Sequence, residues 1–184
     1  MFDLGPAAQE MNRIVAGVRD EQLDQPTPCQ EWTVADLLAH LYQFATVFAH
    51  NARKEPVDRP AGLPDDWRTT IPRQVDDLAQ AWRDESAWTG RVSAGGVEMD
   101  AADNAVVAME ELVLHGWDLS RATGQDLRFD DASLDKVDRF REVFAAPIAS
   151  GQGPWGAAVV VPDNAARFDR LLGAAGRDPA WSPR

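Results

Sequence analysis

The strongest constraint on the fold is the spacing of apolar residues, which recur at steps of three and four along several long stretches of the chain. This spacing places apolar side chains on one face of an α-helix. Met11, Ile14, Val15 and Val18 form such a stripe in the first stretch. We therefore expect a first helix over residues 7–24, followed by a proline-rich turn.

Three further helices are predicted by the same criterion, over residues 33–51, 67–88 and 101–122. Thr33 is a favourable N-cap for the second, and Gly124 can end the fourth in a left-handed conformation. Pro72 indicates that the third helix starts late or is kinked. Between the third and fourth helices, Gly95 and Gly96 predict a turn or a short hairpin.

Four helices of this length predict an all-α fold, a four-helix bundle with a short, mostly helical C-terminal extension. We place the bundle at residues 1–125 and the extension, packed on the bundle, at residues 126–184. In the extension, the pattern predicts helices over residues 134–144 and 164–175 and a short strand or an extended edge over residues 157–161. A Gly/Pro-containing connector at residues 151–154 separates these elements.

Composition restricts the class of protein. A chain of 184 residues with 45% hydrophobic content can form one well-buried domain. Its 18 basic and 30 acidic residues give a net charge of −12, which disfavours nucleic acid and anionic membranes as partners. With neither a signal-peptide pattern nor a long apolar run, we expect a cytoplasmic protein. The single cysteine, Cys29, excludes an internal disulfide and a multi-cysteine metal cluster.

The candidate functional residues are ionisable side chains in apolar helical stretches. Glu111 and His115 are four residues apart, so they project from one face of the fourth helix. His40 lies in the second helix and can supply a third ligand from a neighbouring element. Two imidazoles and one carboxylate with an open coordination position are typical of catalytic zinc. The sequence thus predicts a metal site at His40, Glu111 and His115.

Each of these assignments has a simpler alternative. His40 can be a hydrogen-bonded core residue, and Glu111 can lie on the solvent face together with Glu110. Asp118 can orient a histidine ring as a hydrogen-bond acceptor, or it can form a surface salt bridge with Arg121.

Two other reactive side chains receive less weight. His50 is interpreted as a solvated helix end rather than a ligand. Cys29 precedes a helix N-terminus, where a thiolate nucleophile is conceivable. We interpret it instead as a small packing residue, because no histidine or basic group is close in sequence.

Two longer motifs carry a family resemblance. Residues 27–41 (TPCQEWTVADLLAHL) and 111–125 (ELVLHGWDLSRATGQ) resemble the metal-binding domain of the mycothiol-dependent maleylpyruvate isomerase group, within the DinB/YfiT-like superfamily. Tail features that include residues 176–179 (GRDP) resemble an actinobacterial branch of that group. The resemblance implies a four-helix metalloprotein with His40, Glu111 and His115 as metal ligands. The metal is most often zinc, with nickel or other divalent ions in relatives, and the bundles often pair as homodimers.

The resemblance also implies a chemistry. In characterised members the ion is thought to bind the sulfur of mycothiol, a low-molecular-weight thiol, which then attacks an electrophilic substrate. This chain has only a short tail where the isomerase has a further domain, so a thiol S-transferase is the broader expectation. The alternatives are a non-catalytic metal-binding or stress-response protein, and a structural or dimerising bundle without a metal.

Overall fold

The computed structural model describes residues 1–146 and 156–183. Four long helices form the bundle: α1 (Gly5–Ala16), α2 (Val34–Arg53), α3 (Trp67–Ala81) and α4 (Ala101–Thr123). α1 and α2 each pack against both α3 and α4. The apolar stripes predicted from sequence face one another across this arrangement and form the core. The predicted all-α bundle is therefore confirmed.

The ends of α2 and α4 follow the predicted signals. Thr33 caps α2 through a reciprocal pair of bonds: its Oγ1 accepts from the Asp36 backbone N–H, and Asp36 accepts from the Thr33 N–H. Gly124 ends α4 with φ of 70°, a left-handed conformation that glycine adopts without steric cost. These two caps define the start of α2 and the end of α4, the helices that carry the candidate residues.

Two helices end earlier than predicted. α1 stops at Ala16, and a short 3-10 helix at Asp20–Gln22 replaces the expected last turns. α3 stops at Ala81, and a second 3-10 helix, Glu85–Trp88, follows it. Pro72 lies inside α3, which begins at Trp67, so the expectation of a late start was wrong.

The predicted hairpin is present and connects α3 to α4. Strands β1 (Arg91–Ala94) and β2 (Val97–Asp100) pair in antiparallel fashion with Ala94 opposite Val97. Gly95 and Gly96 form the two-residue turn with φ of 59° and 81°. Positive φ at both positions is the geometry that matches the twist of a tight hairpin.

The C-terminal part adds helices α5 (Asp131–Val143) and α6 (Arg167–Ala174). α5 packs on α4, and α6 buries Leu171 and Leu172. Residues 157–161 do not form the expected strand, although the Val159 N–H donates to the carbonyl of Gly173 in α6. The connector at residues 151–154 lies outside the described residues. Among the helices of the described ranges, none has both the length and the apolar character required to cross a bilayer.

Candidate metal centre

α2 and α4 bring together the three side chains that the sequence singled out. One oxygen of Glu111, Oε2, lies 3.1 Å from Nε2 of His40 and 3.1 Å from Nε2 of His115. The one-turn spacing in α4 places Glu111 beside His115, and the packing of α2 on α4 brings His40 to the same point. One nitrogen or oxygen atom from each of the three side chains lies within 4.8 Å of the others.

The simpler alternative for the two glutamates does not fit this arrangement. Glu111 points at two imidazoles rather than into solvent, and its side chain is only 20% exposed. Glu110 is buried as well, at 6% exposure, so it does not form a solvent face with Glu111. Neither glutamate therefore lies on a solvent-facing side of α4.

Asp118 lies on the opposite side of the His115 ring. Its Oδ2 is 2.9 Å from Nδ1 of His115, and the Asp118 side chain has no exposed surface. The alternative of a surface salt bridge to Arg121 was wrong, because Arg121 donates to the backbone carbonyl of Trp181 instead. Asp118 is thus placed to accept a hydrogen bond from Nδ1 and to fix the orientation of the ring.

The pKa values of these groups move in the directions expected for interacting charges. Burial raises the pKa of the Glu111 carboxyl, but hydrogen bonds from His115 and His40 outweigh it and hold the pKa below the ordinary value. Burial lowers the pKa of His115, but the bonds to Asp118, Cys29 and Glu111 raise it well above 6.5. Burial also raises the pKa of Asp118, and His115 and Arg177 together lower it overall.

The number of protons on His115 decides what the cluster can bind. A neutral imidazole carries one N–H, yet the two ring nitrogens of His115 face the carboxylates of Glu111 and Asp118. The ring can satisfy both only as an imidazolium, or as a neutral ring whose Nε2 lone pair is directed at a cation. In the second state Nδ1 donates to Asp118, the usual arrangement for a metal-bound histidine. The donor set therefore fits a divalent cation.

A short loop before α2 covers the cluster. Pro26 and Thr33 pair across its base, and Thr27 Oγ1 lies 3.1 Å and 3.0 Å from the carbonyl oxygens of Cys29 and Trp32. Glu31 has φ of 65°, which turns the chain within the loop. The loop thereby directs the side chains of Cys29 and Trp32 towards α4.

Cys29 occupies a position that sequence reasoning missed. Its Sγ lies 3.1 Å from Oδ2 of Asp118 and 3.8 Å from Nδ1 of His115. The interpretation of Cys29 as a packing residue was based on the lack of a histidine close in sequence, and the fold brings Cys29 to His115 and Asp118 from a distant part of the chain. Cys29, His115 and Asp118 also form a group with metal-ligand spacing. The Arg177 guanidinium, 3.1 Å from the same Asp118 oxygen, makes that second group less suited to a cation.

Aromatic rings enclose the two histidines. The ring centroid of Trp32 lies 4.9 Å from that of His40 and 6.1 Å from that of His115. Phe44 of α2 lies 5.7 Å and 6.5 Å from the same two rings. These contacts limit the access of water to the imidazole faces and restrict their rotation.

A cavity of about 510 Å³ opens beside His40. Trp32 and His40 form the part of its wall next to the cluster, and Glu31, Gln43 and Arg59 supply polar groups around it. This recess is open to solvent and combines the aromatic surface of Trp32 with these polar groups. His50 does not belong to this region, because its Nδ1 is 3.2 Å from the Pro56 carbonyl near the other end of α2.

Comparison with known proteins gives similarity to one family. A family model described as "Mycothiol maleylpyruvate isomerase N-terminal domain" matches residues 4–120, which include His40, Glu111, His115 and Asp118. Two uncharacterized proteins from two strains of Mycobacterium tuberculosis, Rv0738 and MT0763, are each 25% identical to the chain. The alignments cover 89% of this chain and 90% of each relative. No solved structure matches the chain.

Proposed function

We propose that this chain, which belongs to the mycothiol maleylpyruvate isomerase N-terminal domain family, is a metal-dependent enzyme that uses a low-molecular-weight thiol. His40, Glu111 and His115 are the proposed metal ligands. The proposed reaction is the transfer of the thiol to an electrophile, or the isomerisation of an electrophile through a reversible thiol adduct.

One observation carries the metal assignment: His115 has a carboxylate oxygen 3.1 Å from Nε2 and another 2.9 Å from Nδ1. A cation at Nε2 gives Glu111 and the two histidines a shared positive partner, and it leaves the Nδ1 proton for Asp118. Zinc is the ion that we propose first, because two imidazoles and a carboxylate are its common catalytic ligands. The same ligands also accept nickel and other divalent ions.

The ion would favour the thiolate form of a bound thiol at neutral pH. The residues of the chain provide the remaining requirements. Asp118 holds the His115 ring in place, and Trp32 and Phe44 cover the faces of the imidazoles. The cavity beside His40 offers room for the body of the thiol and for the electrophile, with polar groups at Glu31 and Arg59. In a transferase the sulfur stays on the electrophilic carbon, and a leaving group such as chloride departs from that carbon. In an isomerase the thiolate adds to a conjugated double bond, the new single bond rotates, and the thiolate leaves again as the double bond re-forms.

Metal analysis of protein purified without a polyhistidine tag tests the first part of this proposal. After supplementation with zinc, we expect close to one ion per chain for the unmodified protein and a large loss for His40→Ala and for His115→Ala. His50→Ala is the matched control, since this third histidine lies outside the cluster. A ratio far below one ion per chain for the unmodified protein would favour a structural bundle instead.

Incubation with mycothiol and a reactive chlorinated aromatic compound tests the second part. Mass spectrometry should detect the thiol adduct above the uncatalysed background, and Glu111→Gln should reduce it. Metal binding without any adduct formation across a panel of electrophiles would support the alternative of a non-catalytic metal-binding protein.

A further inference from the structure

The Asp118 carboxylate is buried and needs a positively charged partner. Its side chain is fully buried, and Oδ2 lies within hydrogen-bonding distance of His115, Cys29 and Arg177. A buried carboxylate without a positive partner is strongly destabilising. Asp118 must also be held in one orientation if Oδ2 is to accept the His115 N–H. The orientation of His115 therefore depends on the group that pairs with Asp118 and holds it in place.

Arg177 is that group. Its Nη2 lies 3.1 Å from Oδ2 of Asp118, and its Nε lies 3.4 Å from Oδ1. The guanidinium therefore contacts both carboxylate oxygens. The third nitrogen, Nη1, donates to the carbonyl of Ala175 at 3.0 Å. The Arg177 side chain is 13% exposed, so solvent screens the pair weakly.

The end of α6 delivers Arg177 to this position. The Arg177 N–H donates to the carbonyl of Leu172 and the Gly176 N–H to that of Gly173, which together form a Schellman motif. Gly176 has φ of 77°, and a Cβ at this residue would lie 3.0 Å from the Gly156 backbone. Glycine is therefore the residue that this turn requires, and the residue directly after it is aimed at α4.

We propose that Arg177 is a positioning residue for the metal centre, which acts through Asp118 on His115. This inference rests on the proposed function, because it assigns a role toward the proposed metal. Arg177 lies outside the residues 4–120 that the family model matches. The C-terminal extension thus completes a site whose ligands all come from the bundle.

Zinc affinity, measured by competition with a chromophoric chelator, tests this role directly. Arg177→Gln should weaken zinc binding by about ten- to a hundredfold, the range observed when groups that orient metal ligands are removed. Arg177→Lys should restore part of the affinity, since it keeps the charge but not the two-point contact. The control is Arg167→Gln at the start of α6, which removes an exposed ion pair with Asp135 and Asp138 of α5 and should change affinity less than twofold.

Two further measurements separate positioning from a general loss of structure. In a double-mutant cycle, Asp118→Asn with Arg177→Gln should weaken binding little more than Asp118→Asn alone, because Arg177 acts through Asp118. The visible spectrum of the cobalt-substituted protein should change in Arg177→Gln and not in Arg167→Gln. If Arg177→Gln does not fold, the zinc affinity and the cobalt spectrum of Arg177→Lys test the proposal instead.

The outcomes distinguish this inference from the proposed function. Unmodified protein that binds no ion would overturn both. Normal zinc binding by the unmodified protein, with unchanged affinity and an unchanged cobalt spectrum in folded Arg177 variants, would overturn the role of Arg177 alone.

Discussion

At the scale of single residues, His115 connects the two halves of the centre. Glu111 contacts its Nε2, and Asp118 contacts its Nδ1. Two carboxylates around one imidazole favour the protonated ring, so the pKa of His115 is raised well above 6.5 despite the opposing effect of burial. A metal ion must compete with this proton for Nε2. Metal binding and proton release are therefore coupled at this residue.

This coupling predicts a pH-dependent metal affinity. Below the raised pKa of His115, the apparent zinc affinity should increase by about tenfold per pH unit, because one proton leaves for each ion bound. Above that pKa the affinity should level off. Chelator competition over the range from pH 6 to pH 9 measures the profile, and calorimetry in buffers of different ionisation enthalpy counts the protons released.

Asp118→Asn provides a second test of this prediction. The variant loses one of the carboxylates that raise the pKa of His115, so the levelling point should move to lower pH. In the metal-free protein the raised pKa contributes stability below pH 6.5, and this contribution is lost as the pH rises through the pKa of the folded state. An affinity independent of pH would contradict the proton count assigned to His115.

The sequence predicts some members of this cluster better than others. Glu111 and His115 are visible because the helical period alone places them on one face. Cys29 and Arg177 are not, because their contacts with Asp118 depend on a loop path and on a helix end that no periodicity describes. The signal for Arg177 was nevertheless present: a glycine after an amphipathic helix marks a Schellman turn, and the residue after it has a defined direction.

At the scale of elements, helix existence was predictable and two helix ends were not. The stripe in the first helix continues to Val18, which is buried although α1 ends at Ala16. Burial therefore persists beyond the helix, and the pattern overstates its length. After α3, Asp84 accepts from the Ser86 N–H at 2.8 Å. Such local side-chain bonds compete with helix continuation.

The packing of α6 gives a prediction at this scale. A Cβ on Gly173 would lie 2.4 Å from Cγ2 of Val161 and 2.8 Å from the backbone oxygen of Val159. Gly173→Ala should therefore displace residues 159–161 or α6 itself, at the usual cost of overpacking, about 1–3 kcal/mol. This cost exceeds the roughly 1 kcal/mol that alanine gains over glycine in a helix interior. Urea unfolding measures the net loss of stability.

The same variant should weaken zinc binding, because a displaced α6 moves the turn that presents Arg177. Gly156→Ala is the matched control, since a Cβ there meets nothing within 4 Å. Equal or greater stability of Gly173→Ala, with unchanged zinc affinity, would show that α6 is not held tightly against residues 159–161.

At the scale of the whole molecule, the proposed centre joins three parts of the chain. α2 and α4 supply the ligands, the loop before α2 supplies Cys29 and Trp32, and the C-terminal extension supplies Arg177. Unfolding of any part disturbs the others, because they share the buried Asp118. An ion that binds only this assembled state stabilises the complete fold and not one helix pair.

This argument predicts a large thermal shift on metal binding. At a free zinc concentration of one hundred times Kd, the added stability is about 2.7 kcal/mol. For a protein of this size, such a gain corresponds to an increase in Tm of about 5–11 °C. Differential scanning calorimetry with zinc and with a chelator measures the shift, and near-ultraviolet circular dichroism at the same temperatures reports the tertiary structure.

The variants locate the source of that shift. His40→Ala should abolish it, because α2 then supplies no ligand to α4, while His50→Ala should keep it in full, because His50 lies near the other end of α2. Arg177→Gln should show an intermediate shift that grows with zinc concentration, as expected for a weakened site. A shift of equal size in His40→Ala would place the stabilising ion elsewhere on this acidic surface, where a net charge of −12 attracts cations without a built site.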